Sequence, residues 1–337
     1  EICTTHDDYR DLCARADIDG VIIATPNHWH ALNAVEAAKN GKDIYLEKPL
    51  ARSVAEGQAI VRATRRYGRI LQVGSMQRSN TAFHHACELV RNGRIGTVHT
   101  VNVNIGGPPE ECYLPEEPVP EGLDWDRWLG PAPWRPYSSV LCPPTSYDGW
   151  ARWRNYRDYA GGAMTDIGAH HFDIGQWGLG RDHTGPVEVI PPTEGTDERL
   201  VYVYEDGVRT YRGGAGGSGR GAAVEWIGDG GIVRVNRGQY LETVPETIQH
   251  DIIGPSEERL YRSRNHKENW LEGIRTRKEC ICTPEIGHHT ANICHIGNIA
   301  YWLKRPLKWD PEQEEFLFDP EANRLLSRSF REPWSLS

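Results

Sequence analysis

At 337 residues the chain is longer than one ordinary compact domain and about right for two, and 38% apolar residues with 12 Trp and 14 Tyr supply ample core. A formal net charge of −9 removes any electrostatic reason to expect nucleic acid or an anionic membrane as partner, and favours a neutral, polar small molecule. No apolar run approaches the ~20 residues needed to cross a bilayer, and no basic, apolar leader precedes the fold.

In chain order, DDYRDLCARA (7–16) places Tyr9, Leu12 and Cys13 on one helical face. DGVIIAT (19–25) is the continuous apolar run of a parallel strand buried on both sides. An alanine-rich helix, HALNAVEAAKNGK (30–42), follows, with Gly41 placed to end it. Then come strand DIYLE (43–47), a helix over 53–68 with a polar start at Ser53, and strand RILQVGS (69–75). This alternation specifies a doubly wound parallel sheet.

From Ser79 the character changes. A helix over 82–96 leads into TVHTVNVNIG (97–106), which alternates like a strand with one wet face. Residues 106–157, rich in Pro and Trp, read as loops packed by aromatic side chains, and a helix spans 163–178. Strand candidates at 186–191, 199–206, 208–213, 222–228 and 230–238 suggest a mostly antiparallel sheet. Helices over 266–276 and 285–303 and a tail complete the chain. The division expected is 1–78 as a partial dinucleotide-binding domain, 79–310 as an α+β substrate and oligomerisation domain, and 311–337 as a tail packing back on the body. An open sheet with an apolar outer face needs covering, so a homo-oligomer, dimer or tetramer, is expected.

The eight cysteines read as free thiols, because the closest pair, Cys280 and Cys282, lacks zinc-knuckle spacing. The pairs His84-His85, His170-His171 and His288-His289 diverge on their helices and offer one ligand each at most, so no metal is expected.

Ligands of doubly wound sheets sit outside the carboxyl ends of the strands. TPNH (25–28) and Lys48 both occupy that position and should face one crevice. Burying a lysine at the end of an apolar strand is costly. There it can donate to a substrate hydroxyl and relay a proton, with Glu47 and Pro49 holding it; the alternative is a strand-end lysine reaching solvent or pairing with Glu47. In GGAMTDIGAHHFDIGQW (161–177), Asp166 and His170 are four residues apart and share a helical face, with Asp173 three residues further along. They suit a general base with an orienting or substrate-binding carboxylate, or an intrahelical ion pair. His171 points about a quarter-turn away and reads as structural.

ATPNHWH (24–30), EKPLA (47–51), VGSMQRSN (73–80) and GGAMTDIGAHHFD (161–173) stand in the order and spacing that resemble the Gfo/Idh/MocA oxidoreductase family. The similarity extends to GRIG (93–96), HIGNIAYWLKRPLKWDP (295–311) and REPW (331–334). The resemblance implies a Rossmann-like parallel sheet followed by an α+β domain with an open, mostly antiparallel sheet. It implies an NAD- or NADP-dependent enzyme acting on a secondary hydroxyl of a sugar, glycoside or cyclitol. On that reading Lys48 hydrogen-bonds the reacting hydroxyl, His170 accepts its proton and Asp166 positions the sugar. Thr25, Pro26, Asn27 and His30 line the nicotinamide and its ribose, with Glu47 beside Lys48 on the cofactor side. Gln77 and Arg78 lie between cofactor and substrate, and Arg154 and His288 belong to the substrate pocket.

One part of the family pattern is missing. A strand, Gly-rich turn, helix and second strand should precede DDYRDL, and the only Gly-rich cluster, 213–221, sits between strand candidates and is rejected as a dinucleotide fingerprint. The first residue is Glu rather than Met, so an upstream segment is expected to have been removed; the cofactor site is expected to be incomplete, and cytoplasmic and periplasmic locations stay open. The alternatives are a non-redox acid/base enzyme on a sugar, lyase, hydratase or glycosidase-like, and an inactive sugar-binding fragment.

Overall fold

In the computed structural model, which describes residues 3–193, 198–219 and 221–336, the opening alternation becomes α1 (Tyr9–Ala14), β1 (Gly20–Ile23), α2 (His30–Lys39), β2 (Asp43–Leu46), α3 (Val54–Arg66) and β3 (Leu71–Val73). The three strands form a parallel sheet in the order β1-β2-β3. All of β2 is buried, which is why DIYL carries no polar alternation. Gly41, at φ +74°, ends α2 in the left-handed region open to glycine. The Ser53 hydroxyl caps α3 by accepting from the Glu56 amide.

The remaining elements are α4 (Thr81–Arg91), β4 (Val98–Val103), α5 (Trp125–Leu129), α6 (Gly162–Asp166), α7 (Gly168–Leu179), β5 (Glu188–Ile190), β6 (Val201–Val203), β7 (Arg209–Arg212) and β8 (Val224–Gly228). After them come β9 (Gly231–Asn236), β10 (Tyr240–Val244), α8 (His266–Thr276), α9 (Pro284–Leu303), β11 (Leu307–Asp310), β12 (Glu315–Phe316) and α10 (Pro320–Arg324). They build a nine-stranded sheet in the order β10-β9-β8-β4-β7-β6-β5-β11-β12. Only β4 and β7 run parallel. Strands β10, β11 and β12 add to those legible in the sequence; β10 pairs with β9, β11 with β5 and β12 with β11.

Alternation along the strands sends Val101, Val103, Val224, Trp226, Val233 and Val235 inward, where they pack with Phe172 and Trp177 of α7 and Ile293 and Ile296 of α9. The outer face corrects the expectation of an apolar surface. Asn102 Nδ2 donates to Glu225 Oε1 (2.7 Å), Arg234 pairs with Glu225 and with Glu242 (2.6 Å), and the Tyr240 hydroxyl donates to Glu242 (2.7 Å). The Gly-rich stretch folds over this polar ladder, with the Gly216 amide donating to Glu225 and Ser218 Oγ donating to Glu242 (3.0 Å). It joins β7 to β8 and opens no helix; Arg220 within it lies outside the described residues.

Residues 106–157 form the expected aromatic-packed excursion, in which the Trp125 and Trp128 rings stack at 4.8 Å within a cluster holding Tyr137, Trp153, Tyr156 and Tyr159. The tail returns to α3, where the Ala55 amide donates to the Leu326 carbonyl (3.0 Å) and Arg328 Nε donates to Glu56 (2.6 Å). All eight cysteines are free thiols. Among the described residues no helix is long and apolar enough to cross a membrane.

Candidate active site

The loops that leave β1 and β2 meet at a cavity of about 660 Å³. Its walls include Thr25, Asn27 and His30 after β1, Glu47 and Lys48 after β2, and Asp166 and His170 of the α6–α7 segment. Trp150, Trp153 and Arg154 close one side, and Met76 and Arg237 another.

Lys48 Nζ reaches across to donate to Asp166 twice, to its carboxylate Oδ1 (2.6 Å) and to its main-chain carbonyl (2.7 Å). The second bond explains a departure from the single helix expected over 163–178. In an uninterrupted α-helix the Asp166 carbonyl would accept from the His170 amide. With Lys48 there, the His170 amide instead donates to Ile167 (3.0 Å), three residues back, and the helix divides at Ile167. Asp166 and His170 therefore share the cavity without forming the intrahelical pair that their spacing allowed.

His170 is buried, and its Nδ1 has no hydrogen-bond partner. Burial first, and then the charges of Lys48 and Arg237, push its pKa down to about 2, so the ring is neutral. Burial also raises the Glu47 carboxyl, against the pull of Lys48. His171 is held away, with Nδ1 2.7 Å from the Asn104 carbonyl oxygen.

The glycines that open α6 are required by a close approach. Gly162 sits at φ +69°, and a Cβ there would fall 2.6 Å from Pro109 N. This brings residues 106–109 against α6 and sets the position of Asp166.

The other sequence candidates divide. His30 ties the two loops together, with Nδ1 2.9 Å from the Pro49 carbonyl oxygen and Nε2 3.0 Å from that of Thr25. Thr25 also borders a second cavity of about 430 Å³, which Pro26 lines with Tyr9, Trp29 and Trp128. Gln77 lies behind the wall; its amide donates to the His170 carbonyl (3.1 Å) and accepts from Arg237 Nε (3.1 Å). Arg154 lies under two indole rings, 4.3 Å from the Trp153 centroid and 5.0 Å from that of Trp150.

Two expectations are corrected. Arg78 is 1% exposed and turned away from the cavity, bound to Asp173 (2.8 Å) and Asp182 (2.7 Å) and lying over the Trp177 ring. A buried guanidinium requires such counter-charges, and Asp173 is thereby withdrawn from the helix face it was expected to share with His170. His288 also lies outside, its Nε2 against Glu314 (2.8 Å) in a buried group with Asn292 that joins α9 to the β11–β12 turn. Arg237 and Trp150 were not singled out in the sequence: the first was read as the end of the strand candidate over 230–238 and lies in the turn after β9, the second in a Trp-rich loop without periodicity.

Family models match most of the chain: one described as an oxidoreductase family, NAD-binding Rossmann fold, over residues 3–75, and one as an oxidoreductase family, C-terminal alpha/beta domain, over 109–336. The scyllo-inositol 2-dehydrogenase (NAD(+)) of Bacillus subtilis is 42% identical over 79 residues, 23% of either chain. The 2,7-anhydro-N-acetylneuraminate hydratase of Mediterraneibacter gnavus is 32% identical over 96 residues, 28% of this chain and 26% of that protein. The matches span about a third or less of the length of such curated relatives. Among solved structures, the aldose-aldose oxidoreductase from Caulobacter crescentus complexed with glycerol has the same fold, with TM-score 0.58, 20% identity, and coverage of 89% of this chain and 82% of that one.

Proposed function

The chain belongs to the Gfo/Idh/MocA oxidoreductase family, and on that premise we propose that it oxidises a secondary hydroxyl of a sugar, glycoside or cyclitol, or reduces the corresponding ketone, with NAD(H) or NADP(H). The observation that carries this reading is a neutral, buried His170 in the same cavity as the Lys48–Asp166 pair.

The residues present fit the nicotinamide end of a dinucleotide. Thr25 borders both the main cavity and its neighbour, and Asn27 offers an amide to the main one. Thr25, Pro26, Asn27 and Glu47 would hold that end. A bound nicotinamide supplies the hydride acceptor, chemistry the side chains lack. The chain's own part is alignment and proton removal. Lys48 donates from Nζ to the reacting oxygen, steadied by Asp166. Asp166 accepts from a neighbouring hydroxyl and fixes the sugar ring. His170, neutral and lining the cavity, takes the hydroxyl proton on its imidazole. Open edges on the nine-stranded sheet support self-association into a dimer or tetramer.

A second reading, non-redox acid/base chemistry on a sugar, is favoured by the hydratase among the relatives. Turnover of a panel of sugars and cyclitols, followed at the nicotinamide absorbance with NAD and NADP in turn, separates the two. Nucleotide-dependent oxidation supports the first reading; product formed equally without added or bound nucleotide overturns it.

A further inference from the structure

The cavity is unevenly charged. Its wall carries three cations, Lys48, Arg154 and Arg237, and two carboxyls, Glu47 and Asp166. Lys48 and Asp166 neutralise each other at 2.6 Å. Among the described residues neither Arg154 nor Arg237 has a carboxylate within ion-pair distance, although the Asp166 charge also acts on Arg154. The net charge of −9 for the whole chain thus conceals a local excess of positive charge where the substrate would sit.

Arg154 is also fixed in place. Arg154 lies against the Trp153 and Trp150 rings and uses Nη1 to donate to the Ala151 carbonyl (3.1 Å), leaving most of its five N–H donors unused. Trp150 remains 80% exposed at the mouth, with its ring against Arg154. Arg237 spends Nε on Gln77 (3.1 Å) and keeps its terminal nitrogens free. A planar, pre-oriented guanidinium edge matches the two oxygens of a carboxylate, and Arg154, half-buried without an ion-pair partner, carries a cost that a bound anion removes, whereas Arg237 is exposed.

We propose that the substrate carries a carboxylate: the cavity takes an acidic sugar, such as a uronate or aldonate, whose carboxyl group lies on Arg154, with Arg237 contributing from the opposite wall, while a secondary hydroxyl lies between Lys48 and His170. The proposal rests on the reading of this cavity as the substrate site of a sugar oxidoreductase.

The test compares D-glucuronate with D-glucose and D-galacturonate with D-galactose, by initial rates with NAD and NADP and by calorimetric binding without turnover, for the parent and for Arg154→Gln. The expected result is a kcat/KM preference for the acid of about 10- to 100-fold, the range of a charged hydrogen bond. In Arg154→Gln that preference should fall to within about threefold of parity through KM. Equal or better use of the neutral sugars by the parent overturns the carboxylate site and leaves the oxidoreductase reading standing. A raised nucleotide KM in Arg154→Gln, with the acid-to-neutral ratio unchanged, also overturns it by assigning the cation to a nucleotide phosphate. Binding of the acids that is lost in Arg154→Gln, with no nucleotide-dependent turnover of any sugar, leaves the carboxylate site standing and overturns the redox chemistry. Absence of both binding and turnover overturns both.

Discussion

Lys48 and Asp166, 118 residues apart, are joined by two hydrogen bonds from one ammonium, 2.6 Å to the carboxylate and 2.7 Å to the main-chain carbonyl. The pair links the parallel sheet to the helix carrying His170. Because the carbonyl it takes would otherwise continue the helix, Lys48 also sets where that helix divides.

Replacing His170 by Ala is expected to lower turnover by about 10²- to 10⁴-fold, the usual contribution of a positioned general base, with an unchanged circular dichroism spectrum. Lys48→Met should do the same and also free the Asp166 carbonyl. Steady-state kinetics on any sugar the parent uses checks both; near-normal turnover in the two variants would remove them from the chemistry.

Arg78→Leu is expected to destabilise the fold by about 3–5 kcal/mol, because it leaves Asp173 and Asp182 buried without their counter-charge. Urea unfolding measures the loss, and Arg78→Lys should recover part of it. A variant of normal stability with a raised nucleotide KM would instead return Arg78 to the cofactor.

Acid should destabilise the protein through its buried histidines. His171, His266 and His295 are pushed down to about 4, chiefly by burial, from an ordinary 6.5. Below 6.5 the unfolded chain binds protons that the folded one refuses, so stability is present above that value and is lost as pH falls toward 4. Each such histidine contributes at most about 1.4 kcal/mol per pH unit. Urea midpoints taken between about pH 7 and about pH 5 should fall steadily; a flat profile contradicts the assignment of these rings as buried and neutral.

Gly162→Ala should cost about 1–3 kcal/mol for the left-handed backbone alone and lower turnover as well, since α6 positions Asp166. Gly107→Ala, with nothing within 4 Å of the added carbon, is the neutral control. Melting temperature and kcat, measured on both, separate local strain from a general intolerance of the segment.

Most of the local elements and the identity of the key side chains were legible in the sequence, apart from strands β10 to β12 and the division of the helix at Ile167. Apolar runs marked β1 and β2, Ser53 and Gly41 marked helix ends, and Lys48, Asp166 and His170 stood out because each is costly or conspicuous where it occurs. These signals depend on neighbours within a few residues, which the helical and strand periods fix. Tertiary packing alone decided who partners whom. The four-residue spacing allowed an Asp166–His170 pair, yet Asp166 went to Lys48. Arg78, adjacent to Gln77, was drawn into the core by Asp173 and Asp182, and His288 was held by Glu314. Trp150 carried no periodic signal and Arg237 read as a strand residue; they reached the cavity only through the aromatic excursion and the β9–β10 turn. A charge finds its counter-charge through space, and the fold brings together side chains that the order of the chain keeps apart.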